Sequence, residues 1–167
     1  MSEKPGKLTG GCLCGAIRYE CTEQPCDVHY CHCRLCQKAF GNVFAVFGSL
    51  PTTALSFTRG KPRLYRSTPY AERGFCGACG TPLTFRYLRS EWIAISIGSL
   101  DWPDRVRPDM HRGIESQVPW LALCDGLPRK SIEGDPEYLA MRTPPENSVN
   151  PKSHRSGSRR SRRADQA

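Results

Sequence analysis

Apolar and polar residues follow one another in short runs that turn over every few positions. Residues 16–21 (Ala-Ile-Arg-Tyr-Glu-Cys) alternate apolar with polar, the pattern of a half-buried strand. Residues 43–47 form a continuous apolar run, closed by Gly48 and Pro51. Residues 55–58 alternate again up to Gly60, and residues 83–87 and 92–97 read as further strands. Glycine, proline and serine end most of these segments. No long stretch carries a helical period, and one helical turn is predicted over residues 34–40. The chain is thus expected to be mainly β, with one small core.

Of the 167 residues, 8–143 are expected to form a single domain. Residues 144–167 are expected to be a disordered basic tail, because Ser, Arg, Pro and Asn dominate and Val149 is their one large apolar side chain. The tail carries six Lys/Arg against Glu146 and Asp165, a net of +4 out of the chain's +8. The other +4 is spread over the body, which does not mark a nucleic-acid face there. The run 158–163 (Ser-Arg-Arg-Ser-Arg-Arg) is the one place where charge alone offers a contact to nucleic acid. No run approaches the ~18 apolar residues of a membrane helix. The polar first residues show no secretory h-region, so the cytoplasm is the expected compartment.

Ten cysteines change the picture. In a reducing compartment their CxC and CxxC spacings point to metal, not to disulfides. Cys12-x-Cys14 and Cys76-x-x-Cys79 sum to four thiolates, a complete tetrahedral set for a structural Zn²⁺. Glycines flank both pairs, and Gly77 and Gly80 are expected to supply the left-handed backbone of a tight knuckle. Such a metal would hold the first strand against the central hairpin. Cys31-x-Cys33-x-x-Cys36 supplies three thiolates, which fits a second zinc with one open position. Asp27, His29, Cys26 and Cys124 stand as alternative fourth ligands, and any of them would close the site. His32, between two of the cysteines, is expected to point away from the metal. Three thiolates make zinc a weak activator of water but still able to hold a soft ligand such as a substrate thiolate. Arg34 and Lys38 flank the cluster as candidate contacts for substrate carboxylates.

Three ordered motifs carry a family resemblance: residues 10–19 (GGCLCGAIRY), 31–38 (CHCRLCQK) and 75–83 (FCGACGTPL). A weaker match lies in residues 119–121 and 125–128. The chain resembles the glutathione-dependent formaldehyde-activating enzymes, grouped with centromere protein V. That resemblance implies a zinc-bearing β-tent of small antiparallel sheets. It implies a structural zinc on Cys12, Cys14, Cys76 and Cys79, and a catalytic zinc on Cys31, Cys33 and Cys36. It also implies carbon–sulfur lyase-type chemistry, with glutathione and formaldehyde joined as S-hydroxymethylglutathione. Arg34 and Gln37 depart from the family pattern, and Cys21, Cys26 and Cys124 fall outside it, read as buried or free thiols.

His111 is expected either to reach the open site as a proton shuttle or to be a hydrogen-bonded structural histidine. Trp92, Trp102, Trp120 and Phe75 are expected in the core or in a pocket wall. The competing reading is a non-catalytic zinc β-module that binds a partner, its tail touching nucleic acid.

Overall fold

A computed structural model describes residues 7–142 of the chain. The expected tail, with His154 in it, lies outside the described residues, as does the boundary at residue 143. The strands are β1 (Leu8–Gly11), β2 (Arg18–Cys21), β3 (Cys26–Cys31), β4 (Ala45–Pro51), β5 (Leu55–Arg59), β6 (Arg63–Thr68), β7 (Ala71–Phe75), β8 (Pro82–Tyr87), β9 (Trp92–Ser96), β10 (Met110–Arg112) and β11 (Arg129–Lys130). Two short helices, α1 (Arg34–Phe40) and α2 (Pro136–Met141), complete the set. β1, β2 and β5 make a three-stranded sheet. The other eight strands make one large sheet in the order β11-β10-β3-β4-β9-β8-β7-β6. Its ladders are antiparallel except where β10 lies parallel to β3 and to β11.

The large sheet is apolar on both faces, and each face has its own task. Along β4 and β9, Val46, Leu50, Ile93 and Ile95 join the main core, which they share with Leu8, Ile17 and Tyr19 of the small sheet's segment. Ala45, Phe47 and Ala94 point the other way and pack with Cys31 and Cys36 in a second, smaller cluster. The two-residue period of a strand thus sends one set of side chains to the core and the alternate set to the three-cysteine site.

The sheets are tied at one close approach. Gly10 bridges Leu100, and a Cβ on Gly10 would lie 2.5 Å from the Tyr19 ring and 2.6 Å from the Ser99 carbonyl. The buried Tyr19 hydroxyl pairs with Ser99 Oγ at 2.7 Å. Outside this seam, Asp101 accepts from Thr9 Oγ1 at 2.6 Å and from both terminal nitrogens of Arg18.

Four of the five predicted strands sit close to their expected places, and α1 lies where a helical turn was predicted. The run at 43–47 is shifted, because the strand passes through Gly48 and ends at Pro51. Gly48 is no terminator here: a Cβ would lie 2.7 Å from Pro25 Cβ, so the core itself requires glycine. β6 and β7 carry Arg, Glu, Thr and Ser in an outer hairpin exposed only over residues 63–65, and several of these polar residues line a cavity, so no apolar alternation announces them. Trp102 and Trp120 lie at the surface, 54% and 73% exposed, not in the core or in a pocket wall. Both sit in turns between elements, where no sheet covers them.

The Asp101 contacts hold its carboxyl below the ordinary carboxylate range, chiefly through the hydrogen bonds from Arg18. A depressed carboxylate stabilises the fold above its unfolded pKa of ~3.9, and that contribution is lost as pH falls through the folded value. Solvent screens this exposed pair, so Asp101→Asn should cost about 0.5–1 kcal/mol at pH 7. The cost should shrink below about pH 4, as read from urea midpoints at pH 7 and pH 3.

Candidate functional site

Two groups of thiols converge among the described residues: Cys12, Cys14, Cys76 and Cys79, and Cys31, Cys33 and Cys36. Within each group all sulfurs lie within 4.8 Å of one another. All ten cysteines are free thiols.

The four-cysteine group joins the turn between β1 and β2 to the turn between β7 and β8. Cys12 and Cys14 lie 3.6 Å apart at sulfur, and Cys14 and Cys76 lie 3.8 Å apart. Sulfurs ~2.3 Å from a tetrahedral zinc would be about 3.8 Å from each other, so the donor set fits that ion. The Ile17 N–H donates to Cys12 Sγ at 3.2 Å. Thr81 Oγ1 lies 3.1 Å from Cys79 Sγ, and this hydroxyl is the main cause pulling that thiol down to about 5. Of the two knuckle glycines, Gly80 has the expected positive φ, at 78°. Gly77 does not. A Cβ there would meet the exposed Arg63 side chain at 2.8 Å, and that flexible chain can swing aside.

The three-cysteine group owes its spacing to a strand that runs into a helix. Cys31 is the last residue of β3, and Cys33 caps α1, its Sγ accepting the Cys36 N–H at 3.4 Å. The first helical turn then brings Cys36 back to the same side. Buried Gln37 locks this turn by donating from Nε2 to the carbonyls of His32 (2.7 Å) and Ser116 (2.9 Å). The Cys31 and Cys33 sulfurs lie 3.6 Å apart. Hydrogen bonding from Cys31 is the main cause that pulls the Cys33 thiol down to about 2. None of Asp27, His29, Cys26 and Cys124 comes within 4.8 Å of all three sulfurs.

These three thiols lie in the wall of a cavity of about 440 Å³, within the usual size of a small-molecule site. Apolar walls come from Phe47, Phe85 and Ala94, and Trp92 stands in the lining as well. Its charged lining is Arg73, Arg86, Arg112 and Arg142, with Asp27 and Glu137. Arg86 is paired with Glu72 and Arg112 with Asp27. Arg73 donates from Nη2 to Cys36 Sγ at 3.5 Å and lies over the Phe85 ring, 4.9 Å from its centroid. Asp27, at φ 47°, is the one described non-glycine residue with a left-handed backbone, at the register shift between β3 and β4. Arg34 and Lys38 are solvent-exposed and lie outside the cavity lining, and Arg34 donates to Gln37 Oε1. The cavity arginines come from β7, β8, β10 and the end of α2, far along the chain from the cysteine motif. Their only signal in the sequence was a scatter of cations among strand residues.

His32 and His111 lie on the opposite side of β3 from the cavity. His111 pairs in register with Tyr30 and stacks on its ring. It reaches His32 Nε2 through Nδ1 at 2.8 Å and Asp125 Oδ2 through Nε2 at 2.9 Å. Both histidines are fully buried, and burial pushes the His32 imidazole down to about 4. His32 does point away from the thiols, and His111 is a hydrogen-bonded structural histidine.

The profile of the glutathione-dependent formaldehyde-activating enzyme family matches residues 7–116. The chain belongs to this family. Within it, the chain is 33% identical over 78 residues to a Schizosaccharomyces pombe protein named an uncharacterized lyase. That match covers 47% of this chain and 56% of the relative. It is 33% identical over 81 residues to an Emericella nidulans protein provisionally named a glutathione-dependent formaldehyde-activating enzyme, covering 47% of this chain and 41% of the relative. The matches thus span about half the length of these relatives. A crystal structure of a Rhodobacter sphaeroides protein aligns with a TM-score of 0.45 at 23% identity, over 56% of this chain and 87% of that one. Among the described residues of this family member, no helix is long and apolar enough to cross a membrane.

The histidine pair generates a stability prediction. His111→Ala removes the partner of buried His32 Nε2 and leaves a hole beside Tyr30. It should cost about 2–3 kcal/mol in urea unfolding, whereas Asp125→Asn, at the exposed end, should cost well under half of that.

Proposed function

We propose that this chain is a zinc-dependent enzyme of the carbon–sulfur lyase type that joins a thiol to an aldehyde, with glutathione and formaldehyde as the pair that the family name suggests. The observation that carries this reading is the three-thiol cluster in the wall of a cavity that also holds four arginines. Cys31, Cys33 and Cys36 would hold the zinc, which supplies a thiolate-binding Lewis acid with a free position. Glutathione is a thiol with two carboxylates, and guanidinium groups suit carboxylates because they can pair with both oxygens at once. Arg112 and Arg142 stand in the wall for that task. The Phe47, Phe85 and Ala94 wall excludes water from the sulfur, which strengthens each charge contact inside. The reaction is an addition without redox change. The substrate sulfur bonds to the aldehyde carbon, the carbonyl electron pair moves to oxygen, and a proton completes the hydroxyl. The cytoplasm, where glutathione and free thiols are kept reduced, suits this chemistry.

In this reading Cys12, Cys14, Cys76 and Cys79 hold a second zinc with a structural role. Cys14 and Cys76 are 62 residues apart, so a metal bound there closes a long loop of the unfolded chain. Cys76→Ser, or prolonged chelation of the wild type, should cause loss of the cooperative thermal transition. Retention of a wild-type Tm without metal would remove the structural role.

Native mass spectrometry tests the active-site half. The wild type should carry two zinc ions and take up one glutathione, and NMR exchange spectroscopy should show glutathione–formaldehyde exchange above the spontaneous rate. Cys33→Ser should keep the four-cysteine zinc and the fold but lose both the adduct and the catalysed exchange. Catalysis that survives Cys33→Ser would rule out the three-thiol site as the catalyst.

A further inference from the structure

The short helix α2 supplies part of the cavity wall from outside the residues that the family profile matches. It lines the cavity with Glu137, Tyr138 and Met141, and with Arg142 at its C-cap. That spacing is one face of a helix, while Leu139 and Ala140 are turned to solvent. The two charged residues of this face are opposite in sign, and neither forms an ion pair among the described residues. Glu137 is exposed and Arg142 half-buried, so both charges are open to a ligand.

The surroundings of the two charges differ. Near Glu137 the wall holds Arg112 between two carboxylates. Burial opposes the charge of Arg112, and Asp27 and Glu137 both support it. Two carboxylates on one guanidinium leave one negative charge in excess. At the other end of α2, Arg142 stands beside the Tyr87 phenol. Burial pushes that phenol up, and the guanidinium pulls the other way. No carboxylate pairs with Arg142 among the described residues, so this end holds one positive charge in excess. Tyr87 follows Phe85 by two residues on β8, and the two rings meet edge to face at 4.9 Å. Phe85 in turn packs against the cluster of Cys31, Cys36 and Phe47. Arg142 therefore meets the cavity one two-residue strand step, about 6.6 Å, beyond the ring that touches the thiols.

We propose that α2 reads an α-amino-acid end on the thiol ligand, with Arg142 taking its carboxylate and Glu137 its ammonium group. This deepens the thiol–aldehyde reading above and rests on it for the sulfur end of the ligand. Of the two arginines named there for carboxylates, Arg142 is the one whose charge is uncommitted. A positive pole alone would suit any anionic thiol. The excess negative charge at the second pole repels another carboxylate and attracts an ammonium group. The two positions lie about 7.5 Å apart along the helix axis, a gap that the long side chains of Glu137 and Arg142 can close on one amino-acid group. In glutathione the γ-glutamyl end carries both charges on one carbon, several bonds from sulfur. A cavity of about 440 Å³ has room for that chain between the thiols and α2.

The test compares three thiols on the full zinc-loaded chain. Glutathione carries both charges, glutaryl-cysteinylglycine keeps the carboxylate but lacks the ammonium group, and cysteinylglycine lacks the whole γ-glutamyl group. Binding is read by titration calorimetry, exchange with formaldehyde by NMR, and zinc content by native mass spectrometry. The wild type should bind glutathione about fivefold tighter than the glutaryl analogue, the scale of an exposed ion pair. Glu137→Gln should bring that ratio to near one. Arg142→Gln should lower the preference for glutathione over cysteinylglycine about tenfold, the scale of a charge-assisted contact. Both variants should keep two zincs. Equal wild-type affinity for glutathione and the glutaryl analogue would overturn the proposal. Equal losses for all three thiols, or loss of a zinc, in both variants would overturn it in favour of a structural role for α2. A wild type that discriminates as expected but catalyses no exchange would overturn the catalytic reading and keep this ligand assignment. An active wild type without discrimination would overturn this assignment alone, and a wild type with neither binding nor exchange would overturn both.

Discussion

Seven sulfurs held at ligand distance from one another, in two groups, are the constraint on which the structure depends. Neutral thiols gain little from such crowding, and thiolates at 3.6–3.8 Å repel strongly unless a cation lies between them. The chain therefore concentrates its tightest local geometry there: left-handed Gly15 and Gly80, a strand-to-helix junction capped by a cysteine, and a buried glutamine clamping that junction. A fold with two short helices and a small core can place such groups only because strand pairing brings distant turns together. The β7–β8 turn meets the β1–β2 turn across 62 residues of chain.

The same sheet separates structural from chemical duties. β3 sends Val28 into the main core, while Cys31 on the opposite face belongs to the cluster at the cavity. His111 shows how strictly the alternation works. One residue further along β10, Arg112 lines the cavity, while His111 is locked between Tyr30, His32 and Asp125 with no route to the sulfurs. Choosing between the two readings of His111 required the register of β10 against β3, and no local pattern carries that register.

What the sequence made legible follows from how local each signal is. CxC, CxxC and CxCxxC are read within a few residues, and each does form a converging thiol group. The half-buried strands β2, β5 and β8 show a clean alternation because one face meets the core and the other meets solvent or the cavity, whereas β9 reads as an apolar run because both of its faces are covered. β3 shows none, because Asp27, His29 and Cys31 stand where alternation would call for a consistent face, and the strand is broken by a left-handed residue. The arginines of the cavity were invisible for the opposite reason. Arg73, Arg86 and Arg112 look like ordinary surface cations on short strands, and only the pairing of β7 with β8 and of β10 with β3 turns them inward. Arg34 and Lys38 were the natural choices by proximity along the chain, yet on a helix that starts at the cluster they project to solvent.

The cavity is built from two sources, and this bears on how far the family alone can describe its ligand. The thiol cluster, Arg73, Arg86 and Arg112 all lie within the matched residues 7–116. Glu137, Tyr138, Met141 and Arg142 lie beyond them, on and just after α2, and line the same cavity. Tyr138 carries the Arg112 guanidinium over its ring, so the outer segment is coupled to the shared part through a cation that is itself tied to Asp27. The atoms suited to bond making are thus fixed by the shared β framework. The shape and charge that a ligand meets away from the three-thiol centre are set partly by a helix that the family match does not include. Two proteins with the same three-thiol centre can then differ in the ligand they accept without any change at the centre itself.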